Sequence, residues 1–85
     1  MNRRKLLLRI LQGSHQNISF SDFVNLLGGL GFRALRIRGS HHIFYHPLFP
    51  DLVNLQPSHG QTKAYEIREV LHLIRQYNLR LEEES

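Results

Sequence analysis

Apolar residues in the first third of the chain recur at the three- and four-residue spacing of amphipathic helices. This spacing predicts a first helix over residues 3–12. Ser19 and Asp22 have the spacing of a capping box, with aspartate in place of glutamate, so a second helix is expected to begin near Phe20. Gly31 is a natural stop for that helix. Its buried stripe comprises Phe23, Leu26, Leu27 and Leu30.

The middle of the chain instead alternates between apolar and polar residues, which is typical of β-strands. The segment "FRALRIR" would place Arg36 and Arg38 on one face, with Leu35 and Ile37 on the other. The Gly-Ser pair at 39–40 predicts a tight turn, after which "HHIFYH" forms a second strand. The segment "PLFPD" predicts a loop, and "LVNLQ" predicts a third short strand.

Helical spacing returns over residues 63–77, and "RLEEES" then predicts a frayed acidic tail over residues 80–85. The element order α-α-β-β-β-α predicts one α+β domain over residues 1–85, with a core over residues 20–79. We expect two layers, a three-stranded antiparallel sheet with the helices on one face. The opposite face of the sheet would then be open to a ligand.

The composition excludes several classes of protein. The 85 residues suffice for one domain, and the absence of cysteine excludes disulfides and thiolate metal sites, which favours a cytoplasmic location. The N-terminal "MNRRKLLLRIL" is basic and then apolar, as in a signal peptide. Arg9 interrupts its apolar run and no cleavage motif follows, so an amphipathic helix is the better interpretation. No segment approaches the ~20 apolar residues of a membrane-spanning helix.

The net charge of +4 is unevenly distributed. Up to His46, seven arginines and lysines accompany a single acidic residue, whereas the remainder has four basic and six acidic residues. A basic half suits an anionic partner such as RNA, whose phosphates it would attract. The alternative is that these charges serve only solubility.

Three histidines, at positions 41, 42 and 46, occupy the predicted turn and second strand. No two of them have the i, i+2 spacing that would aim both rings at one ion from one strand face, so a zinc site is not expected. Histidine is also the natural general acid or base near neutral pH, and RNA supplies its own nucleophile, the 2′-hydroxyl. A histidine beside arginines could therefore cleave RNA without metal or cofactor. Polar residues on an open sheet face are, however, common without any such role.

Residues 20–79 contain "LLGGLGFRALRIRGSHHIFYHP", "NLQP" and "AYEIREVLHLIRQYNL", and they resemble the HicA toxin family. The Leu-Gly-Phe and Gly-Ser-His-His-Ile-Phe segments match that family's pattern most closely. The resemblance implies a fold like that of double-stranded-RNA-binding domains and a metal-independent endoribonuclease that cleaves messenger RNA. It also implies a partner, a HicB-like antitoxin protein that holds the toxin inactive, and neither a membrane nor a small-molecule cofactor.

The resemblance implies that the histidine after Gly-Ser, His41, is catalytic. Gly39 would form the turn that presents it. Further residues are expected to contact RNA or its phosphates: Arg36, Arg38, Ser40, Tyr45 and His59.

Two points stay open at the level of sequence. If Phe44 is buried, His41 faces outward beside the arginines and His42 is structural, whereas the reverse phase of the strand exposes His42. His59, within Pro-Ser-His at 57–59, is either an accessory phosphate contact or a loop residue. The first helix is an addition to the minimal family pattern and could cover part of the sheet or extend the antitoxin-binding surface.

Three hypotheses follow from these patterns. The leading one is a ribonuclease toxin in which His41 acts as general base or acid. The second is a module of the same fold that binds RNA without cleaving it. The third is a domain that binds only protein.

Overall fold

The computed structural model describes residues 2–82 and has the predicted α+β architecture. Met1 and the end of the predicted acidic tail, residues 83–85, lie outside the described residues. The elements follow one another in the predicted order: α1 (Arg3–Leu11), α2 (Phe20–Gly29), β1 (Arg33–Arg38), β2 (His41–His46), β3 (Phe49–Leu55) and α3 (Ala64–Gln76). The three strands form an antiparallel sheet with β2 at its centre.

In the described part of the chain, one hydrophobic core lies on one side of the sheet. Phe44 from β2, with Val53 and Leu55 from β3, joins the apolar stripes of all three helices in this core. Burial of these side chains is the main favourable contribution to folding. No residue of β1 is buried, so this strand extends beyond the layer of helices. Among residues 2–82, no helix is both long and apolar enough to span a membrane.

Helix α1 packs on the other helices rather than on the open face of the sheet. Leu6 and Ile10 enter the common core, and the Arg3 Nε donates to the backbone carbonyl of Asn25 at 2.8 Å. A Cβ at Gly29 would lie 2.8 Å from Cδ of Arg3, so the paired glycines of α2 make room for this side chain. The first helix therefore leaves the sheet surface uncovered.

The segment between β2 and β3 differs from the prediction. Strand β3 begins at Phe49, so only residues 47–48 form a turn between the strands. The prediction that "PLFPD" is a loop is therefore wrong for residues 49–51. Phe49 is buried and stacks on His46 and Tyr77, with ring centroids 4.7 and 4.2 Å away, which holds it in the sheet layer. Pro50 is tolerated because β3 is an edge strand, where a missing N–H need not break the ladder.

Buried His46 is a structural residue of the core. Its Nε2 lies 2.9 Å from the carbonyl oxygen of Leu30 and its Nδ1 accepts from the N–H of Leu48 at 3.1 Å. Both ring nitrogens therefore have backbone partners, which offsets the cost of burying a polar ring. Gly31, at φ +98°, approaches so closely that a Cβ there would lie 2.7 Å from Nε2 of His46.

We predict that Gly31→Ala destabilises the protein more than Gly13→Ala does. Both glycines have nearly the same positive φ, +98° and +96°, but a Cβ at Gly13 would meet nothing within 4 Å. Backbone strain alone should cost about 1 kcal/mol at Gly13, whereas displacement of His46 should raise the cost at Gly31 to about 3 kcal/mol. Urea unfolding monitored by circular dichroism measures both values, and equal losses would contradict the role given to His46.

Candidate functional site

The open face of the sheet carries a column of three arginines along β1. Arg36 lies opposite Ile43, and Arg38 lies opposite His41. Directly opposed residues of an antiparallel pair point to the same face, so both arginines share the face of His41. The structure thereby decides the phase of β2 that the sequence left open, with Phe44 buried and His41 exposed.

Arg33 joins this column because β1 contains a bulge. The register shifts between Ala34 and Arg36, which leaves Leu35 as the extra residue and places Arg33 opposite Tyr45. Strict alternation would have put Arg33 and Arg36 on opposite faces of the sheet. The additional residue in the bulge instead places both side chains on the same, open face. The three arginines therefore lie opposite Tyr45, Ile43 and His41, so their backbone positions follow one another at roughly 7 Å, the distance of two residues along a strand.

His41 is held by a side chain from the neighbouring strand β3. Its Nδ1 lies 3.0 Å from Oδ1 of Asn54, and both residues are exposed. An amide oxygen only accepts, so this contact favours the neutral tautomer with the proton on Nδ1, which leaves the Nε2 lone pair available to another group. This is the arrangement that a histidine general base requires.

The turn before His41 is fixed by a second amide. Gly39 has φ +60°, as the first central residue of a type II′ hairpin turn does, and the predicted tight turn is confirmed. Ser40 Oγ accepts a hydrogen bond from Nε2 of Gln56 at 3.0 Å. Its own proton is thereby directed away from Gln56, and the hydroxyl keeps the capacity to donate to an anion.

Gln56 is itself anchored by a buried carboxylate at the start of α3. Glu66 is 1% exposed, and it accepts from the backbone N–H of Gln56 at 2.8 Å and from that of Lys63 at 3.2 Å. Both carboxyl oxygens of this buried side chain therefore have backbone partners. A continuous set of contacts therefore runs from α3 through Gln56 to Ser40.

A surface groove of about 280 Å³ begins at His41 and follows β3 toward α3. Leu52, Asn54 and Gln56 line its sheet side, and Tyr65 and Glu69 line its helix side. The arginine column lies on the opposite side of His41, on β1. His41 thus lies between the arginine column on one side and a groove lined by both apolar and polar side chains on the other.

Of the other predicted contact residues, Tyr45 faces the open side and is 39% exposed. His42 lies on the helix side, where the centroid of its ring is 4.7 Å from that of Phe20, so of the two alternatives the structure favours a structural His42. His59 occupies a separate hairpin turn with φ +53° and lines a different depression beside Asn17. The structure therefore does not bring His59 into the groove of His41.

Sequence reasoning missed Arg33, Asn54 and Gln56. The bulge that reorients Arg33 leaves no sequence signal, because no glycine or proline marks it. Asn54 and Gln56 alternate with buried Val53 and Leu55, so their outward orientation could have been inferred. Their pairing with the Ser40–His41 step depends on the register between β2 and β3, which is a tertiary property.

Comparison with family models, with curated proteins and with solved structures gave no match to this chain. The site is therefore interpreted from its own geometry. Within residues 2–82, no three histidine, aspartate or glutamate side chains are grouped to hold a metal ion. The chemistry available on this face is that of an imidazole, guanidinium groups, a hydroxyl and amides.

We predict that Asn54→Ala shifts neutral His41 from the Nδ1–H tautomer toward a mixture with Nε2–H. The hydrogen bond to Oδ1 is the contact that selects the first form, and Asn54 is exposed, so the fold should persist. Asn54→Asp retains an acceptor and should retain the tautomer. Nitrogen-15 chemical shifts of the imidazole, measured at alkaline pH, distinguish the two forms. An unchanged tautomer in Asn54→Ala would show that Asn54 does not orient the ring.

Proposed function

We propose that this protein is a metal-independent endoribonuclease of the HicA toxin type that cleaves messenger RNA. The observation that carries the proposal is the exposed His41, oriented by Asn54 and standing directly opposite Arg38. A ribonuclease that uses the 2′-hydroxyl of its substrate needs a base, a phosphate-binding group and access for RNA, and this face offers all three.

In the proposed reaction, the Nε2 atom of His41 removes the proton of the 2′-hydroxyl. The 2′-oxygen then attacks the adjacent phosphorus, and the bond from phosphorus to the 5′-oxygen breaks. The departing 5′-oxygen takes a proton from water, which reaches this exposed face. The products are a 2′,3′-cyclic phosphate and a 5′-hydroxyl end. Guanidinium groups of Arg36 and Arg38 would stabilise the negative charge that accumulates on the phosphate oxygens.

The same face suits the proposed protein partner. A HicB-like antitoxin that covers β1 and β2 would bury Ile43 and Tyr45 and would exclude RNA from His41. A messenger-RNA substrate and such a partner would both place the protein in the cytoplasm. Helix α1 lies away from this face and is free to extend the partner's contact without obstructing RNA.

An RNA-binding module without catalysis is the second candidate. The three arginines and Tyr45 would suffice to hold RNA, since phosphate contacts and base stacking together give affinity without any base catalyst. Cleavage and binding therefore have to be measured separately.

We predict that His41→Ala lowers the rate of RNA cleavage by at least about 100-fold, because it removes the general base. His59→Asn is the matched control, since His59 is an exposed histidine on a separate hairpin turn outside the groove, and asparagine tolerates its φ of +53°. Product RNA is quantified on denaturing gels in the presence of a chelator, and growth arrest on expression gives a second readout. Equal cleavage by wild type and His41→Ala would remove His41 from the mechanism, and absence of cleavage by purified wild type would favour the binding module.

We further predict that Arg38→Gln reduces the salt dependence of RNA binding. Losing one phosphate contact should flatten the slope of log affinity against log salt by about 0.7. Arg75→Gln removes the same charge from the exposed last turn of α3 and should leave the slope unchanged. Both changes are made in the His41→Ala protein, so that the RNA stays intact during titration. Identical slopes for the two variants would show that Arg38 does not contact an RNA phosphate.

A further inference from the structure

The groove beside His41 reaches from β3 to the exposed side of α3. Next to this groove of about 280 Å³ lies a second depression of about 590 Å³, also lined by β3 and α3. The two depressions share Leu52, Tyr65 and Glu69 in their linings. These three residues therefore lie where the two depressions meet, between β3 and α3.

The groove wall is apolar and aromatic at this centre, although it is exposed to solvent. Leu52 is 55% exposed and Tyr65 is 51% exposed. Exposed aromatic rings are the surfaces on which single-stranded RNA stacks its bases, and the arginine column on the other side of His41 would hold the phosphates. The Nζ atom of Lys63 lies 5.9 Å from the centroid of the Tyr65 ring, which adds a cation on this wall.

Glu69 places a carboxylate in the lining of the groove. It follows Tyr65 by four residues on α3, so the two side chains lie on one face of the helix. The buried carboxylate of Glu66 already accepts two backbone hydrogen bonds, whereas Glu69 is exposed to the groove. A carboxylate accepts hydrogen bonds from the exocyclic amino group of a base such as cytosine. Uracil has no such group.

We propose that this groove is a base-binding subsite, in which the base next to the scissile phosphate stacks on Tyr65 and donates its amino group to Glu69. The inference rests on the proposed ribonuclease function and specifies its substrate. With His41 between the groove and the arginine column, the phosphate would turn toward β1 while the base turns toward α3. The enzyme would then cleave after amino-bearing bases in single-stranded RNA in preference to uridine.

The cleavage test uses DNA oligonucleotides that contain one ribonucleotide, cytidine, adenosine, guanosine or uridine, so that only one position can react. We expect kcat/KM for uridine to lie about 10-fold below that for the best amino-bearing base. Glu69→Gln should reduce this ratio, because an amide can also donate to the uracil carbonyl. Tyr65→Ala should lower kcat/KM by about 10-fold on every substrate, and Tyr65→Phe should restore it by keeping the stacking ring.

The binding test does not depend on cleavage. Cytidine and uridine 3′-monophosphates are titrated into the His41→Ala protein, and backbone amide signals are followed by nuclear magnetic resonance. We expect cytidine 3′-monophosphate to perturb Tyr65 and Glu69 at lower concentration than its uridine counterpart. Tyr65→Ala should abolish this difference.

The outcomes separate the subsite from the catalytic proposal. Cleavage that is indifferent to the base and to Tyr65→Ala overturns the subsite while the ribonuclease stands. Selective binding of the cytidine nucleotide by a protein that cleaves no RNA overturns the ribonuclease and supports the groove as a nucleobase site. Duplex RNA cleaved as well as single strands would also overturn the subsite, because a paired base cannot enter the groove.

Discussion

Burial of Phe44 and His46 on one side of the central strand sets the arrangement of the whole open face. Side chains alternate strictly along β2, so the positions of these two residues force His41, Ile43 and Tyr45 to the other side. His46 stabilises this orientation of β2, since its two ring nitrogens contact the backbone carbonyl of Leu30 and the backbone N–H of Leu48. A shift of one residue would bury His41 and expose a core phenylalanine.

The third strand then gives the exposed histidine a defined orientation. Asn54 contacts the ring of His41, and Gln56 contacts Ser40 in the turn. Glu66, buried at the start of α3, holds the backbone of Gln56 and thereby connects the helix layer to the site. A histidine on a loop would require a substrate to order it, whereas this one is oriented by regular elements in the free protein.

The open face is also divided by chemistry into two halves. Arginines lie on β1, while apolar, amide and carboxylate groups lie along β3 and α3, and His41 stands at the boundary. Such a division suits a ligand that is itself two-sided, with charge along one edge and flat rings along the other. Single-stranded RNA has this character, and the proposed cleavage and base subsite both draw on it.

Much of this protein follows from its sequence. Periodicity gave the element order, Ser19 capped its helix as predicted, and Gly39 formed its turn, because such features depend on neighbours within a few residues. The resemblance to HicA singled out His41, although sequence alone left the phase of its strand open. Only the tertiary structure decided that phase and showed that β3 begins at Phe49. It also showed that a bulge turns Arg33 to the open face and that Asn54 contacts His41. These features arise from strand register and packing between distant residues, and no local pattern in the chain encodes them.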